Sequence, residues 1–113
     1  MASSSQIPFA PLGDTITFTA ATTPPAAAQA PVKVTETSAG QYRIVNAGSE
    51  TVFLGVGATA AEAAANADSS SPAKSIPLLP GAVEILRFSP LAYFTGDTAS
   101  GTSVVYITPG QGL

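Results

Sequence analysis

The chain predicts an all-β fold, an antiparallel β-sandwich of jelly-roll type with about eight short strands. Three observations carry this. Short runs alternate apolar and polar residues with a period of two, clusters of Gly, Pro, Asn and Asp separate them at near-regular spacing, and no sustained helical period runs through the 113 residues. A chain of this length has room for one domain. The organisation expected is an extended N-terminal arm, residues 1–13, followed by a single sandwich domain, residues 14–113.

The arm is polar and then punctuated by Pro8 and Pro11, which disfavour helix and leave Ile7, Phe9 and Leu12 as apolar side chains for contact with a neighbouring subunit. From Asp14 to Ala20 the segment DTITFTA alternates Thr with Ile16 and Phe18, a strand with one buried face. After the Pro/Ala-rich connector of residues 21–31, VKVTET places Val32 and Val34 on one face of a second strand. In QYRIVNA, Tyr42 and Ile44 alternate with Arg43 and Val45, so both faces of that strand are expected to be partly covered. NAGSE carries tight-turn residues, and TVFLGVG then reads as the hairpin partner of QYRIVNA. Farther on, Pro80-Gly81 is the pair favoured at the centre of a type II turn. It joins a short strand around Ser75 to Leu79, where Pro77 suggests an edge or a bulge, to a strand from Val83 to Phe88. PLAYFTG and GTSVVYITP supply the last two strands, and this final third reads as antiparallel hairpins.

The segment VFLGVGATAAEAAANAD imitates a strand, a G-x-G-x-x-A turn and a helix. A dinucleotide site would need Gly55, Gly57 and Ala60 inside a parallel βαβ unit with an acidic residue about 20 positions on. Around Ser75 to Pro77 there is none, and the Ala-rich run has no large apolar side chain to pack on a sheet. The segment therefore reads as a strand followed by an excursion whose glycines let the chain turn. Thr59 can N-cap a short Ala-rich helix there, with Glu62 at the third helical position completing a capping box. TPGQGL similarly lacks the Lys and Ser/Thr of a phosphate-binding loop.

Composition narrows the function further. Only 10% of residues are charged, against roughly 25% in an ordinary soluble domain, and 21 of the apolar residues are Ala, so the core is modest and the surface is built of small polar side chains. Four scattered cations, Lys33, Arg43, Lys74 and Arg87, make no basic stripe for nucleic acid. With no His and no Cys, nucleophilic triads, disulfides and the usual transition-metal sites are absent. The seven carboxylates are dispersed: Asp14, Asp68 and Asp97 lack the spacing of a calcium loop, and Glu84, sheltered by its strand, reads as a partner for Arg87 or a neighbouring strand. No catalytic residue, cofactor or metal is expected. The N-terminus has neither a basic leader nor an apolar run of secretory length, so the expectation is a protein used without export through a signal peptide and without a membrane span. The strand aromatics read as core or inter-subunit packing, with Tyr93 and Phe94 on opposite faces of one strand.

RIVNAGSETVFLGVG, IPLLPGAVEILRF and GTSVVYITPGQGL, spread over residues 43–113, resemble a class of small structural proteins of tailed bacteriophages, the capsid cement or decoration proteins. That resemblance implies a β-rich, often jelly-roll domain that forms dimers or trimers on the capsid exterior, is made in the host cytoplasm, and bridges subunits of the major capsid protein. Candidate subunit contacts are then Ile7, Phe9, Leu12, Thr59, Glu62, Tyr93 and Phe94. A head-tail junction, tail or fibre component is the neighbouring reading, and a carbohydrate- or cell-surface-binding β-sandwich is the one from another class.

Overall fold

The computed structural model describes residues 9–31, 41–70, 74–89 and 91–111. Two antiparallel sheets face each other. The larger contains β1 (Ala10–Pro11), β2 (Ile16–Ala20), β4 (Gln41–Asn46), β7 (Val83–Arg87) and β9 (Ser103–Gln111), with β1 and β2 both paired to one side of β9 and the order continuing β9-β4-β7. The smaller has the order β3-β8-β5-β6, formed by β3 (Ala28–Gln29), β8 (Tyr93–Asp97), β5 (Val52–Gly57) and β6 (Ile76–Leu78). One helix, α1 (Ala60–Asn66), follows β5. The strand expected at VKVTET lies outside the described residues, as does Ile7.

The period-two reading holds where it sets the core. Phe18, Ile44, Val105 and Ile107 on the larger sheet meet Val52, Leu54, Leu78 and Phe94 on the smaller, all buried. Registers agree with this, because Phe18 lies opposite Val105 and Ile44 opposite Ile107. At one end three rings close the space between the sheets: Phe94 meets Tyr42 edge-on at 5.0 Å between centroids and Phe88 at 5.8 Å. The Tyr42 hydroxyl donates to the Ser89 carbonyl at 2.9 Å, which satisfies its polar tip.

The expected hairpin between residues 41–46 and 51–57 does not form. β4 pairs with β7 and β9, whereas β5 pairs with β6 and β8, so the loop between them crosses from one sheet to the other. Asn46 is the reason. Its buried side chain accepts from Gly48 N at 3.1 Å and Ser103 Oγ at 2.7 Å, and its Nδ2 donates to the carbonyls of Glu50, Leu78 and, at 3.3 Å, Leu79. The loop is folded around this amide instead of closing as a tight backbone turn. Gly48 serves close approach, since a Cβ there would run into Ser103, and positive φ among the described glycines occurs at Gly81 and Gly101.

The same alternation replaces the hairpins expected near the C-terminus. Pro80 and Gly81 form the anticipated turn, with Gly81 at φ 79° and Ala82 N donating to Leu79 O at 2.9 Å, but the turn carries the chain from β6 in the smaller sheet to β7 in the larger. β8 and β9 likewise lie in opposite sheets. Sequence alternation defines a strand's buried face without saying which sheet it joins.

Two predictions test this frame. Asn46→Ala strands several buried polar groups at once and is expected to cost about 3 kcal/mol of stability, measured by urea denaturation; Asn46→Asp should fare little better, because a carboxylate cannot donate to Leu78 and Glu50. Burial raises the Tyr42 phenol above its ordinary pKa, opposed in part by backbone hydrogen bonds at Ala92 and Leu91. Its contribution is therefore fully present below the unfolded value of about 10 and is lost as pH rises through the folded one. Wild type should lose more stability than Tyr42→Phe between pH of about 9 and about 11, read from urea midpoints.

Candidate interaction surface

The two outer faces of the sandwich are finished differently. On the smaller sheet α1 lies against β5, its buried Ala63 and the buried C-cap Ala67 seated over Gly55, where any Cβ would collide with their backbone. A Cβ at Gly57 would likewise meet Glu62 and Ala63. These glycines thus let a helix approach a strand; they neither turn the chain nor admit a phosphate. Contrary to expectation, the Ala-rich segment packs on the sheet, and it can do so because small faces small. Asn66 Nδ2 donates to Val56 O at 2.9 Å, Ser69 N to Asp97 Oδ2 at 2.7 Å and Thr95 Oγ1 to Pro25 O at 2.8 Å, so helix and connector together fasten down this side.

Thr59 caps the helix as the spacing implied, accepting from Glu62 N at 3.2 Å. Glu62 reaches one residue farther back than a standard capping box and accepts from Ala58 N at 2.9 Å. Both are exposed. Tyr93 is half-buried on the outer side of β8, opposite Gly57, while Phe94 on the other side is fully buried in the core and is no surface contact. The described end of the arm turns back onto its own domain. β1 pairs with β9, Leu12 N donates to Pro109 O at 3.0 Å, and the Phe9 ring covers the Cα of Gly110.

Among the described residues no such layer covers the outer face of the larger sheet. Register places Thr17, Tyr106, Val45 and Val83 in one row and Thr108, Arg43 and Ile85 in the next. Val83, Ile85 and Tyr106 are 50%, 42% and 44% exposed, so three large apolar side chains share one side of the sheet with Val45 and Val104 between or beside them. Contiguous apolar surface of this kind marks an interaction site more often than scattered exposure does. At its lower end a groove of about 410 Å³ runs between Phe9 and Pro11 on one side and Ile85 on the other, floored by Thr15, Arg43 and Thr108. The Thr15 and Thr108 hydroxyls bond to each other at 2.7 Å.

Among the described sequence candidates, Phe9 borders this surface. Val83, Ile85, Tyr106, Arg43 and Arg87 were missed, although their strands carried the signal: in YRIV, VEILRF and SVVYI apolar residues occupy both parities, so each strand has more apolar surface than one buried face needs. Glu84 also departs from expectation. It is exposed on β7, and among the described residues its carboxylate bonds neither Arg87 nor a side chain of the neighbouring strand. No group of three or more carboxylates among the described residues could hold a metal ion. No protein-family model, curated protein or solved structure gives a significant match to this chain.

Gly55→Val tests the covered side. It should detach α1 and cost about 1 to 3 kcal/mol through overpacking. Hydrogen exchange should rise in residues 60–67 while the amides of β4 and β9 keep their protection.

Proposed function

We propose that this chain is a non-enzymatic structural protein of a virion, a capsid cement or decoration protein on the capsid exterior that stabilises the shell by bridging subunits of the major capsid protein. The observation that carries the reading is the outer face of the larger sheet, uncovered among the described residues, where Val83, Ile85 and Tyr106 are exposed beside a row of threonines. A cement protein acts by burying surface across joints, so that rupture of the shell must also break those contacts. Repetition over a lattice multiplies a modest gain at each joint. Covering the exposed halves of Val83, Ile85 and Tyr106 is worth about 1 kcal/mol each.

The finer jelly-roll assignment belongs to the same proposal. The orders β2-β9-β4-β7 and β3-β8-β5-β6 support it, because from β2 to β9 every connection except β5 to β6 crosses between the sheets, as in a sandwich of two Greek keys. The glycan-binding reading needs a cluster of exposed rings; Tyr106 alone among the described aromatics is classed as exposed. Assembly as a dimer or trimer on the lattice is part of the proposal.

Purified particles that contain this chain are the test. Deleting the gene product should lower the temperature at which particles release DNA, and adding the protein back should restore it. The triple variant Val83→Ser/Ile85→Ser/Tyr106→Ser should fold normally, because its positions are half-exposed, and should co-sediment with deletion particles at least about tenfold more weakly. Particles lacking the chain altogether would sink the proposal; a copy number of about six or twelve, in place of hundreds, would move it to the portal or tail axis.

A further inference from the structure

We infer that the outer face of the larger sheet receives an extended acidic-apolar segment of a partner protein, whose carboxylates pair with Arg43 and Arg87 while an apolar side chain enters the groove between Phe9 and Ile85. The inference rests on the reading of this face as a contact surface.

Charge is the first support. The chain is acidic overall, with four Lys or Arg against seven Asp or Glu. On the outward positions of β4, β7 and the described side chains of β9 the charged residues are Arg43 and Arg87, both exposed. Among the described residues neither guanidinium is paired with a carboxylate. The neighbouring Glu84 lies opposite core-facing Ile44, so it belongs to the other side of the sheet. A locally cationic face on an anionic protein selects an anionic partner. Two copies joined symmetrically through this face would set arginine against arginine, and two cations are too few to hold a nucleic acid.

Spacing is the second. Arg43 lies directly opposite Ile85, and Arg87 is two residues farther along β7, so the arginines are diagonal neighbours about 7 to 8 Å apart at their backbones. Alternate side chains of an extended segment repeat at nearly the same interval, about 7 Å. Carboxylates at alternate positions can therefore meet both guanidiniums, each of which suits a planar bidentate acceptor. The groove beside them has apolar walls, Phe9, Pro11 and Ile85, and Arg43 on its floor. It accepts an apolar side chain carried on the same segment.

The probes are two short fluorescein-labelled peptides, one alternating glutamate with leucine and the other alternating lysine with leucine, titrated with the full chain by fluorescence anisotropy. The acidic peptide should bind, the basic one should not, and added salt should weaken binding. Arg43→Gln/Arg87→Gln should weaken it by about tenfold or more, and Ile85→Ser should also weaken it, with both variants melting like wild type. Failure of the acidic peptide to bind, equal binding of the two peptides, or unchanged binding by the arginine variant would overturn the inference. Normal particle association of the arginine variant would also overturn it while leaving the cement reading intact. Loss of that reading, through particles that lack the chain, would leave the peptide result standing.

Discussion

Every turn of this sandwich that passes through residue 46 depends on one buried amide. Asn46 ends β4 on the larger sheet, yet its side chain holds the loop at Gly48 and Glu50, the end of β6 through Leu78 and Leu79, and Ser103 at the start of β9. The backbone adds to this, since Asn46 O accepts from Gly81 N at 2.9 Å and Asn46 N donates to Ala82 O at 3.0 Å. Two crossings between the sheets, residues 47–51 and 79–82, are thereby tied to the same residue. An amide is suited to the place because it both donates and accepts, and because such a network inside a low-dielectric core is costly to leave half made.

A second constraint follows from the shortage of large side chains. Leu, Ile, Val and Phe number 26, while Ala alone numbers 21. A core so supplied must bring backbones close together in place of filling wide gaps. Gly96 does this inside the sandwich, where a Cβ would strike Val52 and Phe18, and Gly55 does it outside, under Ala63 and Ala67. Removing side chains from both partners at a contact lets the structure reach close packing without bulk.

The sequence made the strands legible and the sheets illegible, and the reasons are physical. Alternation of Ile16 and Phe18 with threonine, or of Tyr42 and Ile44 with Arg43, follows from the period of a pleated strand and survives in any sheet. Pairing is a relation between distant segments, here β4 with β9 across about sixty residues, and no local pattern encodes it. Turn residues misled for a similar reason: asparagine and glycine at positions 46 and 48 suit a hairpin by backbone preference, but here the asparagine acts through its side chain and the glycine through lack of one. Capping at Thr59 was legible because it is decided within four residues. The interaction surface was half legible. Its strands showed apolar residues on both parities, but only the structure showed that α1 lies on one outer face and that no described element covers the other.

That asymmetry also bears on how contact is made. Sheet edges invite strand addition, and proteins protect them with proline or with charge on the inward side. Two of the described edge strands carry such protection. Pro77 sits in the middle of β6 at one edge of the smaller sheet, and Glu84 sits on the core-facing side of β7 at one edge of the larger, exposed because the sandwich does not extend over it. The outward side of β2, β9, β4 and β7, in contrast, has no lysine and no proline in its central rows; it offers β-branched side chains, a tyrosine and threonine hydroxyls. With the β6 and β7 edges guarded and the face open, the arrangement resists backbone pairing at those two edges while leaving side chains of the face free to bind. A domain of this kind would associate through its face, at a strength set by the apolar surface it presents and with a choice of partner set by the two arginines beside it.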